Sequence, residues 1–406
     1  MNVMDYYHQG VKLIQQGDYD AAIEVFDTAL SEYPDSFTVL GIRASTYLQK
    51  EETEKALADY IRMIALNPRN PDGWNSRGCL YLDLGEYDKA IADFTQCIPL
   101  SPPGYGTYWS NRGIAYYEKG DLDAALADLT TSIECWADPE CSNWALFHRG
   151  LVWEKKGELD KALEDFTLAS TYEPSDHDAF YHAGYIHFMR EDYEQAIGCF
   201  SQAIAARDDI ADNWLARGVC YWNKRIKDNT GFWDEDGAII NRAVDDFTRA
   251  IECSPDMAEA YFNRGAAHRS KAQESVNLIK AIIMQKAADD AGRSLLLVQL
   301  GRMGGKDLIP HIDALLRGLR FNHDEAGALI AQCAGLFAED DAREAIEDLS
   351  RAIALEPDNA EAYYQRGLAY TLMGAKDKAF ADYEQACALD PNHGKAVEKR
   401  DELLEK

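Results

Sequence analysis

Three sets of side chains have types and spacings that bear on chemistry: a few histidines, a few loop aspartates, and a run of arginines in step with carboxylates. His148 and His182 fall at equivalent places 34 residues apart, while His177 and His187 lie five residues either side of His182. That spacing spreads them around a helix instead of gathering them on one face, so no metal site is expected from them. Asp228, Asp234 and Asp236 share an acidic stretch with Gly231 and Gly237, but lack the alternating carboxylate and glycine spacing of a calcium loop. The chain has no glycine-rich phosphate loop after a strand, no H-E-x-x-H and no serine elbow, so no catalytic residue, no cofactor and no enzyme activity are expected. Its nine cysteines form no C-x-x-C pair and mostly sit among apolar neighbours, where a thiol behaves as a small hydrophobe. Cys135 and Cys141 end the string CWADPEC and could bridge, but the overall usage suits a reducing cytoplasm.

The arginines are periodic. Arg43, Arg77, Arg112, Arg149, Arg217, Arg264 and Arg366 each precede a small residue, and Asp59, Asp93, Asp128, Asp165 and Asp382 follow their arginines by sixteen. Asp246 holds the same place once thirteen extra residues are removed. Where the arginine is absent, at Gln9 and Ala183, the carboxylate is absent too, as Val25 and Cys199. Such co-occurrence within one chain predicts a structural Arg–carboxylate pair between two helices, not a phosphate-binding ladder. Arg264 is expected to stand without its usual partner and to be freer for other work, because Lys280 occupies the partner's position; Asp348 is expected to face Gln332.

The elements that must position these residues are written in a repeat. The string GDYDAAIEVFDTALSEYP returns as GEYDKAIADFTQCIPLSP and GELDKALEDFTLASTYEP. A small residue recurs at Gly10, Ala44, Gly78, Gly113, Gly150, Gly184, Gly218, Gly265 and Gly367, in steps of 34, 34, 35, 37, 34, 34, 47 and 102. A second follows twelve residues later as Ala22, Ala56, Ala90, Ala125, Ala162, Ala196 and Ala379, a spacing that sets small residues on facing helices at their closest approach. Pro34, Pro68, Pro102, Pro174, Pro255, Pro357 and Pro391 then end the second helix, since proline has no N–H to continue it. Each unit therefore reads as a helical hairpin.

With Trp74, Gly78, Tyr81, Ala90, Phe94 and Pro102 in one unit, and Tyr363, Gly367, Tyr370, Ala379, Tyr383, Ala386 and Pro391 in another, the chain resembles the tetratricopeptide repeat family. The resemblance covers most of residues 3–393 and implies an all-α, right-handed superhelical solenoid whose concave face comes mainly from the first helices. The step of 102 is three times 34, which predicts eleven hairpins, two of them degenerate. The expected order is seven units over 3–257 with an inserted loop at 225–241, degenerate and locally basic helical units over 258–325, two units over 326–393, and a capping helix over 394–406. Residues 268–322, expected to form two hairpins, carry nine Lys or Arg against five Asp or Glu.

Composition narrows the partners. Net charge is −29, from 41 basic and 70 acidic residues, which disfavours nucleic acid and anionic lipid and favours basic partners. No apolar run approaches a membrane span and the start lacks a leader pattern, so a cytoplasmic protein is expected. The resemblance assigns the concave face to residues six and three before each marker glycine and one and four after it. In the central units these positions hold Tyr117, Trp144, Phe147, Tyr181, Tyr185, Phe188 and Trp222. Together with Phe232 and Trp233 on the inserted loop and Arg264, they are the expected partner-binding residues, aromatics being frequent anchors in interfaces. Asp72, Thr107, Asp178, Asp212, Ser76 and Ala216 stand where chaperone-binding relatives carry Lys, Arg and Asn, so a clamp for an acidic chaperone tail is not expected. The expected function is a non-catalytic scaffold that binds a protein or peptide with apolar or aromatic anchors and basic flanks. The alternative is a self-assembling structural or adaptor subunit, a homo-oligomer docked through the basic degenerate units.

Overall fold

The structure, a computed structural model, describes residues 2–136, 142–227, 238–284 and 323–404, and these are helices joined by short turns. The chain divides into two compact units, residues 1–179 and 180–406. In the first, α1 (Val3–Gln15) pairs with α2 (Tyr19–Glu32), α3 (Phe37–Gln49) with α4 (Thr53–Leu66), and α5 (Pro71–Asp83) with α6 (Tyr87–Cys97). Then α7 (Thr107–Lys119) pairs with α8 (Leu122–Cys135), and α9 (Asn143–Lys155) with α10 (Leu159–Tyr172). The second unit takes in all but the first turn of α11 (His177–Met189), which meets α12 (Tyr193–Ala206). It continues with α13 (Ala211–Lys227) on α14 (Ala238–Cys253), α15 (Ala258–Met284) on α16 (His323–Leu355), and α17 (Ala360–Leu372) on α18 (Lys376–Leu389), and ends with α19 (Gly394–Leu404). The fold is an all-α repeat solenoid.

Local chemistry starts and stops these helices. The Asn2 side chain accepts from the amides of Met4 and Asp5 while Asp5 reaches back to the Asn2 amide, a reciprocal cap. Asp18, Ser36, Asn70, Asp121 and Asn359 cap other helices, and Pro71 opens α5 where its missing N–H costs nothing. Inside most hairpins the marker glycine faces an aromatic ring, as where a Cβ on Gly150 would lie 2.6 Å from Phe166 Cε1, while Gly113 faces Leu129 instead. The twelve-residue partners Ala22, Ala56, Ala90, Ala125 and Ala162 are fully buried, so the two helices touch through their smallest residues and a ring, or Leu129 beside Ala125, fills what remains.

The Arg–Asp pairs join the hairpins internally. Arg43–Asp59, Arg77–Asp93, Arg112–Asp128 and Arg149–Asp165 in the first unit, and Arg217–Asp246 and Arg366–Asp382 in the second, each make two parallel bonds of 2.6–2.9 Å from Nε and Nη2. The remaining nitrogen, Nη1, reaches back to the preceding second helix: Arg112 to Thr95, Arg217 to Ser201 and Arg366 to Ser350, each at 3.1 Å. One guanidinium thus ties three helices, and aromatic rings such as Trp74 and Tyr81 around Arg77 shield it.

Arg264 corrects the sequence expectation. It is not partnerless but donates to Asp348 at 2.8 and 2.7 Å, and its Nη1 reaches Thr248 at 3.1 Å. Asp348 likewise does not face Gln332, since both lie on α16. A Cβ on Gly265 would meet Leu349 Cγ at 2.8 Å, so α15 and the second half of α16 form one hairpin with the repeat's ordinary internal geometry. The helices run on past the point where the others turn. Nine hairpins lie among the described residues, and most of the stretch expected to form two further ones, 285–322, lies outside them.

Candidate functional site

Along the second unit the first helices present the register positions picked out by sequence, and a pocket of about 190 Å³ opens there. Tyr181, Tyr185 and Phe188, one turn apart on α11, form one wall, and Phe200 of α12 lies behind them. Leu215, Ala216 and Val219 of α13 form the opposite wall. The ring of Tyr181 rests on that of Phe200 at 5.5 Å, edge to face, and Phe188 leans on Tyr193 at 5.8 Å, so both are held by packing. Tyr185 is 42% exposed, the most open aromatic of the wall. Asp212 and Glu259, both exposed, add carboxylates to the lining. The arrangement is an apolar slot with negative charge beside it. It can accept an aliphatic or aromatic side chain while drawing an adjacent ammonium or guanidinium to the carboxylates.

The other expected site residues fall elsewhere. Trp222, on the same helix as Val219, lies outside the pocket lining, packed at the edge of the α13–α14 core with Arg225 over its ring at 5.3 Å. In the first unit Tyr117 is half-buried beneath Lys155, whose Nζ lies 4.9 Å from the ring centre. Phe147 is buried against Phe166, 5.7 Å away, and so belongs to the core of its hairpin. Trp144 is 54% exposed and its ring lies tilted against that of His148, 4.3 Å between centres. Burial lowers the His148 pKa from its ordinary value, and its Nδ1 lies 2.9 Å from the Trp144 carbonyl, which accounts for this histidine as a packed one. Arg264 is occupied as described above. Phe232, Trp233 and the aspartates of the considered calcium loop lie outside the described residues, as does Cys141.

Sequence reasoning on aromatics alone passed over Leu215, Val219 and Glu259, although the same register arithmetic marks them. Leu215 and Val219 stand three before and one after Gly218, and Glu259 six before Gly265. The hydroxyls that receive Nη1 were also passed over. Their signal is a Thr or Ser two residues after the carboxylate position, as in Asp93-x-Thr95 and Asp348-x-Ser350.

Tetratricopeptide repeat models match residues 7–73, 75–139, 112–171 and 149–209, and others match 42–105, 336–374 and 360–393, together more than half of the chain. The chain belongs to the tetratricopeptide repeat family. Tetratricopeptide proteins are generally non-catalytic protein-interaction scaffolds that use extended surfaces of stacked repeats. The chain is similar to the mouse DnaJ homolog subfamily C member 3, 25% identical over 242 residues, which is 57% of this chain and 41% of that protein. It therefore spans well under two thirds of that relative's length. Among solved structures it is similar to a tetratricopeptide repeat protein of Parabacteroides merdae, 17% identical over 64% of this chain and 97% of that one, with a TM-score of 0.47. It is also similar to YrrB, described as a TPR protein with an unusual peptide-binding site, 24% identical over 46% of this chain and 94% of that one, with a TM-score of 0.36. No helix among the described residues is long and apolar enough to cross a membrane.

Proposed function

We propose that this tetratricopeptide protein is a non-catalytic scaffold that holds a peptide, or a helix of a partner protein, across the first helices of its second unit. The partner's anchor is an aliphatic or aromatic side chain seated between Tyr185 and Val219, with a Lys or Arg beside it meeting Asp212 or Glu259. One observation carries this reading: a pocket of about 190 Å³ lies between the first helices α11 and α13, with the exposed ring of Tyr185 and two exposed carboxylates in its lining. A volume of this order matches one large side chain, not a drug-sized cofactor, for which pockets run to about 300–1,000 Å³.

The test is selection from a random peptide library displayed on phage against the full chain, with counter-selection on Tyr185→Ala and on Asp212→Asn. The reading predicts enriched peptides that pair an aromatic or aliphatic residue with a neighbouring Lys or Arg, and that bind Tyr185→Ala at least about tenfold more weakly. Peptides without that pairing, or binding that ignores both substitutions, would overturn it.

A further inference from the structure

Seven of the nine described hairpins turn a few residues after their marker small residue; the seventh runs on from Gly218 to Lys227, and the eighth runs further still. Its first helix, α15, runs on to Met284 and its second, α16, starts at His323 instead of near Ala342. Where a tight turn would otherwise fix the two helices against each other, four ionisable side chains meet. His268, three residues after Gly265, is buried, and its Nδ1 lies 3.3 Å from Asp341 Oδ1 and 3.0 Å from Glu344 Oε2. The ligand atoms of the three residues all fall within 4.8 Å of one another. Lys271, one turn along α15, brings Nζ to 3.1 Å from Asp341 Oδ1.

We propose that His268, Asp341 and Glu344 form a binding site for a divalent first-row transition ion. A ring nitrogen carries at most one proton, so Nδ1 can bond fully to only one of the two carboxylates it faces. A cation would satisfy both oxygens and the nitrogen lone pair at once. The spacing suits it: with bonds of about 2.1 Å, ligand atoms of one ion stand roughly 3.0–3.4 Å apart, the range of the two Nδ1–oxygen distances. One imidazole and two carboxylates are a nitrogen and oxygen donor set that accepts zinc, cobalt, manganese or iron, with remaining positions left to water. Asp341 and Glu344, three apart on one face of α16, give that helix two ligands, and His268 gives α15 the third. The ion staples the two helices at the foot of the extension. Lys271 is its competitor, an ammonium on the Asp341 oxygen that the ion must displace.

The test is calorimetric titration of the chelator-treated, tag-free full chain with zinc chloride, repeated with cobalt chloride while the visible spectrum is followed. One equivalent is expected to bind, about tenfold or more weakly in Glu344→Gln and His268→Asn, and more tightly in Lys271→Met, where the competing charge is gone. His268 is buried and its variant can misfold, so the exposed Glu344 and the Lys271 variant decide the matter, with circular dichroism confirming helix content. Absence of saturable one-equivalent binding, or affinities unchanged in Glu344→Gln and Lys271→Met, would overturn the assignment and leave the cluster as an ion-pair network.

Discussion

At the scale of single residues the protein is organised by guanidinium groups that do no chemistry. Asp128 is 6% exposed and receives two bonds from Arg112, whose third nitrogen is spent on Thr95. The bond to Asp128 raises the Arg112 pKa, so the cation persists at any ordinary pH. Removing one partner of such a pair strands a buried charge, and Asp128→Ala is expected to cost about 3–5 kcal/mol in urea unfolding. Arg112→Ala in the same chain should add little to that loss, and reversing both residues together should recover part of it; strictly additive losses would contradict the pairing. His148 sets a pH dependence. Its pKa is lowered by burial below the ordinary 6.5, so below that pH the unfolded chain takes up a proton that the folded chain resists. Its contribution is present above about pH 6.5 and is lost as pH falls through that value. The fall in Tm between about pH 7.5 and 5.5 should be smaller in His148→Gln than in the unaltered protein, and an equal fall would show that His148 does not contribute.

At the scale of elements most of the architecture is legible in the sequence, because a hairpin needs small residues where its helices cross and a break where it ends. Gly150 under Phe166 and Pro34 after α2 are visible in the string for those physical reasons. The turn is equally regular in seven of the nine described hairpins, with positive φ at Gly17, Gly85, Gly120, Gly157 and Gly374, and at Glu51 and Glu191 where the glycine is missing. Glu51→Gly is therefore expected to stabilise the protein by about 0.5–1 kcal/mol, since the side chain is exposed and holds a left-handed φ of 60°. A thermal melt in which Glu51→Gly unfolds earlier would contradict this reading of the turn. The eighth hairpin was not legible by periodicity. Arg264 and Asp348 are 84 residues apart, the usual sixteen plus twice 34, so the spacing by itself reads the same for one interrupted hairpin as for a run of three. The signal lay in chemistry: one arginine without its carboxylate and one carboxylate without its arginine were each other's partners. The pocket was half legible. Register picks out its positions, but weighting by aromatic type alone favoured Phe147, which packs on Phe166 within its own hairpin, and passed over Leu215 and Val219, which line the pocket.

At the scale of the whole molecule a net charge of −29 acts on every encounter. Basic segments are attracted from a distance, and that attraction is screened over about 10 Å at 0.1 M salt, whereas an apolar anchor seated in a pocket is not. Raising salt is therefore expected to slow association of a selected basic-flanked peptide far more than it speeds dissociation, as measured by stopped-flow fluorescence; a salt effect confined to dissociation would contradict the division of labour between charge and anchor. The account as a whole rests on the slot formed by α11 and α13 being a place for a partner's side chain and not a gap in the core. The most direct check is the affinity of such a peptide for Tyr185→Ala, measured by titration calorimetry on protein whose melting temperature is recorded beside that of the core variant Phe200→Ala. The account predicts a loss of about 1–3 kcal/mol in binding for Tyr185→Ala with its melting temperature nearly unchanged, while Phe200→Ala loses about 3–5 kcal/mol of stability. Unaltered affinity in Tyr185→Ala, or unfolding as severe as that of Phe200→Ala, would contradict it.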